Sequence, residues 1–235
     1  MRQLGGSFPM DEIRLLVRDA NQSLLHDTIG IPDDQWHGPS LLPGWTRAHV
    51  ATHLARNADA LRRRTEAAVS GTELVEPTPD ERFEALERGA DRPALSLQID
   101  LDTSATALAE AWRDHTDWHR PIPFLGRTRP LSVLPLARLH ELCVHHLDLD
   151  TGFTPDQIQP EPAGWLLAWV YERLREVPIP AVELQAESGQ SGIIGKGEPE
   201  AVIRASDAAL WGWLTGRAAL VDADGIAHEK LPLLA

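Results

Sequence analysis

Two short segments constrain the fold of this chain most, because each places metal-capable side chains four residues apart. The first carries His49 and His53, and the second carries Glu141 and His145. Both segments have the apolar spacing of amphipathic helices, where four residues is just over one turn and each pair shares a face. Two such faces packed together form a His/Glu site inside a helix bundle. The sequence therefore favours a metalloenzyme built on helices.

The donor types indicate which chemistry such a site would support. His53, Glu141 and His145 offer two imidazoles and a carboxylate, and catalytic zinc sites hold three protein ligands plus one open position. The alternative is a buried, hydrogen-bonded cluster without metal, which spacing alone does not distinguish. His49 is left open as a fourth ligand, a partner of a ligand or a residue of the helix surface.

Bulk charge and cysteine content exclude several classes of partner. The formal net charge is −13 and the isoelectric point is about 5.1, so no basic field is present to bind nucleic acid. No apolar run is long enough for a membrane span. The single cysteine excludes an intramolecular disulfide and fits a reducing compartment. We expect a cytoplasmic protein that binds neither nucleic acid nor membrane, and whose anionic substrates would need a local arginine.

Helical periodicity and stop signals organise the first two thirds of the chain. A short helix between loops is expected within residues 72–95. Long helices are predicted over residues 10–29, 46–70, 103–120 and 132–151. Four such helices, with one long crossover, form a bundle.

The pattern changes after Pro155, where alternating strands join the helices. The predicted elements are a helix over 160–177, a strand over 181–187, a turn-rich connection over 189–200, a strand over 200–206 and a short helix over 209–219. The fold class is therefore α+β, with a four-helix bundle at residues 1–155 and a small α/β domain at 156–235.

Three further residue types have competing interpretations. Cys143 is rotated away from Glu141 on its helix and is interpreted as a packing residue rather than a nucleophile. His140 and His146 lie off the metal-ligand stripe and are interpreted as partners of ligands or as solvent-facing. Arg217 is either a cation that stabilises a helix C-terminus or a two-pronged clamp for a carboxylate.

These residues together resemble a known family. The pattern Leu-Leu-x-Gly-Trp-Thr-Arg-x-His-x-x-x-His ends at His53, Glu-x-x-x-His joins Glu141 to His145, and Gly-Arg ends at Arg217. This order is similar to that of the mycothiol-dependent maleylpyruvate isomerases. The family combines a DinB-like four-helix bundle with a small C-terminal α/β domain, which is the organisation expected above.

The resemblance implies a role for each candidate residue. It implies that His53, Glu141 and His145 hold zinc, and that His49 lies nearby and helps to bind the thiol cofactor without being a metal ligand. It also implies that Arg217 reaches towards the site and binds a carboxylate of the substrate or of the thiol, mycothiol.

The implied reaction is a cis–trans isomerisation. A zinc-bound mycothiol thiolate adds to the double bond of maleylpyruvate, the resulting single bond rotates, and elimination gives fumarylpyruvate. Two alternatives remain at this point: a mycothiol S-transferase that conjugates the thiol to an electrophile, and a non-catalytic bundle that binds a small molecule. The expected partners are a small-molecule substrate and the thiol, and the protein is expected to be a monomer or a homodimer.

Overall fold

The chain divides into two compact units. The first, Phe8–Thr151, is formed mainly by four long helices. The computed structural model describes residues 9–115, 117–174 and 178–220. The helices of this unit are α1 (Met10–Ile29), α2 (Arg47–Ser70), α3 (Pro79–Ala90), α4 (Ala94–Arg113) and α5 (Val133–Asp148). α2 packs on α4 and α5, and α1 packs on the same two helices, which makes a four-helix bundle. The short α3 packs on α2.

Local capping explains where the site-bearing helix α2 begins and ends. The Thr46 hydroxyl accepts a hydrogen bond from the His49 backbone N–H, and the His49 ring in turn accepts one from the Thr46 N–H. Gly71, with φ of 70°, ends the helix in the left-handed conformation. The predicted range of this helix is confirmed, as are those of α1, α3 and α5 to within a few residues.

The range predicted for the third long helix was wrong at both ends. α4 begins at Ala94 rather than Thr103, because Pro93 directly precedes the helix and does not interrupt it. It ends at Arg113 rather than near Arg120. Its buried stripe runs through Leu97, Leu101, Ala105, Leu108 and Trp112 at helical spacing.

A hairpin that the sequence analysis missed follows this helix. Strands β1 (Pro121–Phe124) and β2 (Arg127–Pro130) pair antiparallel. Leu125 and Gly126 both have positive φ, at 50° and 72°, as a two-residue hairpin turn requires. The prolines of this segment hid the strand pattern, since proline is depleted in strands.

The second unit begins at Gly152 and is a mixed α/β arrangement. Its elements are α6 (Pro160–Leu174), β3 (Pro180–Ala186), β4 (Ser191–Ile194), β5 (Lys196–Ala205) and α7 (Asp207–Leu214). The sheet has the order β4-β3-β5, with β3 antiparallel to β4 and parallel to β5. α6 packs against α7 and β4.

The two predicted strands of this unit are confirmed, whereas the turn-rich connection contains β4 and the first part of β5. The last three residues of the helix predicted over 160–177 lie outside the described residues. The α+β fold class is confirmed. Within the described part of the chain, no helix combines the length and apolar character needed to cross a membrane.

Candidate metal centre

The structure brings the three expected ligand side chains together. His53 projects from α2, while Glu141 and His145 project from one face of α5, and one donor atom from each lies within 4.8 Å of the others. His53 Nε2 is 3.0 Å from Glu141 Oε2, and His145 Nε2 is 3.6 Å from the same oxygen. The packing of α2 on α5 thus brings His53 to the Glu141/His145 pair and forms one cluster.

Burial and mutual attraction set the protonation of the cluster. Burial alone would raise the pKa of Glu141, but the neighbouring His145 and His53 rings lower it well below its ordinary value. Burial lowers the pKa of His53, against the opposing effect of Glu141. The site therefore presents an ionised carboxylate beside a neutral imidazole, both of which are in the form that a metal binds.

His145 differs from His53 because a second carboxylate holds its other nitrogen. Its Nδ1 lies 2.8 Å from Asp148 Oδ2. Burial would lower the pKa of His145, but the hydrogen bond to Asp148 and the nearby Glu141 raise it. Protonation of this ring competes with metal binding, so affinity for the metal falls as the pH falls.

The residues present fit a zinc ion. His145 Nε2 is buried, and the nearest carboxylate oxygen, Glu141 Oε2 at 3.6 Å, is beyond hydrogen-bond distance, so this nitrogen has no hydrogen-bond partner among the described residues, which is costly unless another group binds it. Two imidazoles and one carboxylate form a ligand set of catalytic zinc sites and leave a fourth position open. The His145 side chain is 0% exposed, whereas that of His53 is 30% exposed, so the cluster opens on the His53 side.

Trp45 borders this cluster, a position that the sequence patterns did not predict although the residue is part of the family pattern. Its ring is stacked on that of His145, with an interplanar angle of 9° and centroids 6.3 Å apart, and its centroid is 5.4 Å from that of His53. The sequence did contain a signal for the location of Trp45, because Trp45 directly precedes Thr46, the residue that caps α2. Its position against His145 depends on loop folding, which side-chain periodicity does not encode.

Hydrogen bonds hold the loop that carries Trp45. The Ser40 N–H donates to the Trp45 carbonyl at 2.9 Å, and the Leu41 N–H donates to the Asp148 carbonyl, also at 2.9 Å. Arg47 Nε donates to the Leu149 carbonyl at 2.8 Å. The loop is therefore fixed to the C-terminal end of α5, next to the cluster.

His49 lies outside the three-residue cluster and makes contacts of its own. Its Nδ1 accepts from the Thr46 N–H, so the proton of the neutral ring is on Nε2, which lies 3.3 Å from Glu87 Oε1 on α3. These contacts join the start of α2 to α3. A role of His49 in binding the thiol stays a prediction.

Arg217 belongs to the second unit, where it follows α7. Gly216, with φ of 78°, ends this helix, and Arg217 Nη1 donates to the Thr215 carbonyl at 2.6 Å. Arg217 is half-buried. Its role as a carboxylate clamp stays a prediction.

The other candidates on α5 are buried. His140 and His146 are not solvent-facing, since their exposed fractions are 0% and 2%. His146 Nε2 lies 2.9 Å from Asp27 Oδ2 on α1. Burial raises the pKa of Cys143 to about 12, which agrees with a packing role for this residue.

Comparisons with known proteins give a consistent result. Residues 17–150 match the family model described as the mycothiol maleylpyruvate isomerase N-terminal domain. A crystal structure of the mycothiol-dependent maleylpyruvate isomerase is 26% identical in sequence, with a TM-score of 0.84 and 90% of each chain covered. A crystal structure of a histidine-to-alanine mutant of the mycothiol-dependent maleylpyruvate isomerase is 25% identical, with the same TM-score and coverage. The comparison with curated proteins finds no match.

Proposed function

Because the chain belongs to the mycothiol maleylpyruvate isomerase N-terminal domain family, we propose that it is a zinc-dependent enzyme that uses mycothiol to isomerise a cis double bond of the maleylpyruvate type. The observation that carries this proposal is the cluster of His53, Glu141 and His145, in which a buried imidazole nitrogen has no hydrogen-bond partner among the described residues. The similarity to two solved isomerase structures over 90% of each chain supports it.

Each residue of the cluster has a distinct task in this proposal. When bound, zinc would lower the pKa of a coordinated thiol, so that mycothiol is a thiolate near neutral pH and adds reversibly to an activated double bond. His53 and His145 would bind the metal through neutral nitrogens, and Glu141 would supply the negative charge. The Trp45 ring would cover one side of the two imidazoles and keep water from it.

Arg217 would bind a carboxylate of the substrate or of mycothiol. The planar guanidinium pairs with carboxylates through two parallel hydrogen bonds, which an ammonium group does not reproduce. Replacement of Arg217 by lysine should therefore keep the charge but raise KM or lower kcat about as strongly as replacement by alanine. Equal kinetics of wild type and Arg217→Ala would contradict this role.

The test of the function combines metal analysis with an assay of the full chain. Purified protein, prepared with zinc, should contain about one zinc per chain and convert maleylpyruvate to fumarylpyruvate only when mycothiol is added. His53→Ala and Glu141→Ala should lose both metal and activity. His26→Ala is the matched control, because His26 is an exposed histidine on α1, and it should retain both. Full turnover by a verified metal-free variant would refute the zinc-dependent mechanism.

The fate of the thiol separates isomerase from transferase. In an isomerisation mycothiol is unchanged after many turnovers, since elimination returns it. Mass spectrometry of the reaction mixture should therefore show no accumulating conjugate. A conjugate that grows in proportion to the consumed substrate would instead assign the protein to the mycothiol S-transferases.

A further inference from the structure

Asp148 occupies a position that local rules of helix stability disfavour. It is the last residue of α5, where the negative end of the helix dipole repels an anion. Its side chain is only 1% exposed, so the carboxylate has also lost most of its hydration. A buried acid at a helix C-terminus requires a compensating interaction, and departures of this kind concentrate at functional sites.

The contact with His145 supplies that interaction. Asp148 Oδ2 lies 2.8 Å from His145 Nδ1, and both side chains are buried. A carboxylate accepts hydrogen bonds and donates none, so Nδ1 must carry a proton. When the ring is neutral, its lone pair is then on Nε2, the nitrogen that lies 3.6 Å from Glu141 Oε2 in the cluster.

The backbone of Asp148 is fixed as firmly as its side chain. Its carbonyl accepts from the Leu41 N–H of the loop that carries Trp45, and the Trp45 ring is stacked on the His145 ring. The ring is therefore held by a carboxylate at one edge and by an indole on one face. Neither group lies among the expected ligands.

We propose that Asp148 is a positioning residue, which holds His145 in the tautomer and orientation that present the Nε2 lone pair to the metal site. This inference rests on the proposed function insofar as the bound metal is concerned. The preference for one tautomer is a property of the protein alone. Carboxylates that hold a metal-binding histidine in this way commonly change metal affinity by one to two orders of magnitude.

The first test is made on the metal-free wild-type protein and requires no substitution. Nitrogen-15 NMR of labelled histidine, at an alkaline pH where the imidazole is neutral, distinguishes a protonated from an unprotonated ring nitrogen. We expect the His145 proton on Nδ1. A proton on Nε2, or an equal mixture of the two tautomers, would overturn the inference.

The second test measures zinc affinity by competition with a chromophoric chelator. Asp148→Asn keeps the shape of the side chain but removes its charge, and we expect about 10- to 100-fold weaker zinc binding. Asp27→Asn is the matched control, because Asp27 makes the same kind of contact with the neighbouring His146, at 2.9 Å. This control should bind zinc as the wild type does. Unchanged affinity in a folded Asp148→Asn variant would overturn the inference.

The two tests separate this inference from the proposed function. If the wild type binds no zinc, the proposed function fails, and the NMR measurement still decides whether Asp148 sets the tautomer. If the wild type binds zinc and isomerises its substrate while Asp148→Asn binds zinc equally well, only the inference fails. Circular dichroism identifies a variant that does not fold, in which case the wild-type NMR result decides.

Discussion

Arg138 joins three helices from a fully buried position. Its Nη1 donates to the Leu54 carbonyl at 2.7 Å and to Asn57 Oδ1 at 2.9 Å, and its Nη2 donates to Asn21 Oδ1 at 3.2 Å. Burial lowers the pKa of the guanidinium to about 10, so it remains charged at neutral pH. It therefore stabilises α1, α2 and α5 through hydrogen bonds that no apolar side chain can replace.

We expect Arg138→Met to lower the free energy of unfolding by about 3 kcal/mol, because buried acceptors lose their donor. Arg18→Met, at an exposed arginine of α1, should change it by no more than about 0.5 kcal/mol. Urea denaturation measures both values. Equal stability of the two variants would show that the buried network contributes nothing.

The thiol of Cys143 is held in its protonated form by its surroundings. With a pKa of about 12 from burial, only about one molecule in ten thousand carries the thiolate at pH 8. We expect the native protein to react with a disulfide reagent at pH 8 far more slowly than the same protein in denaturant. Rapid reaction of the native protein would show that the thiol is accessible, and would reopen a role for it in catalysis.

At the level of elements, the contact between α2 and α3 depends on a glycine. A methyl group at Gly89 would collide with Thr52 Cγ2, a side chain that is buried and, being β-branched, stiff. Gly89 therefore sets how closely the two helices approach. The same contact brings Glu87 of α3 to His49 at the start of α2.

Gly89→Ala should destabilise the protein by about 1–3 kcal/mol through overpacking. Thr52→Ala removes the colliding methyl group, so the double variant should lose less stability than the sum of the two single variants. A double-mutant cycle by urea denaturation measures this coupling. Additive losses would mean that α3 moves freely to accommodate the methyl group.

Sequence patterns predict some of these elements well because their determinants are local. α2 has its cap, its periodicity and its terminal glycine within its own residues, and the four-residue spacings on α2 and α5 are sufficient to place His53, Glu141 and His145 on two faces. The hairpin at 121–130 was missed because its prolines oppose strand propensity. Trp45 and Asp148 were missed because their positions depend on a loop bound to the end of a helix, a contact distant in sequence.

At the scale of the whole molecule, we expect the protein to stay folded when the metal is removed. The bundle buries apolar residues along all four long helices, including Ile13, Leu54, Leu97 and Leu134, so its core does not depend on the cluster. We expect removal of zinc by a chelator to abolish activity and lower Tm while the helical circular dichroism spectrum is retained, since a ligand that binds only the folded state stabilises it by mass action. His53→Ala should show no Tm change with the chelator. Loss of helicity on chelation would make the metal a structural requirement.

Trp45 also differs from the other tryptophans of the chain in a way that has an optical consequence. All eight tryptophans lie among the described residues, and seven are buried while Trp45 is partly exposed. Iodide in solution quenches the fluorescence of exposed indoles much more than that of buried ones, so the quenched fraction of the emission reports on Trp45. Because this indole borders the His53 and His145 rings, the protein carries its own fluorescent probe beside the candidate metal centre, and titrations there can be followed without any label.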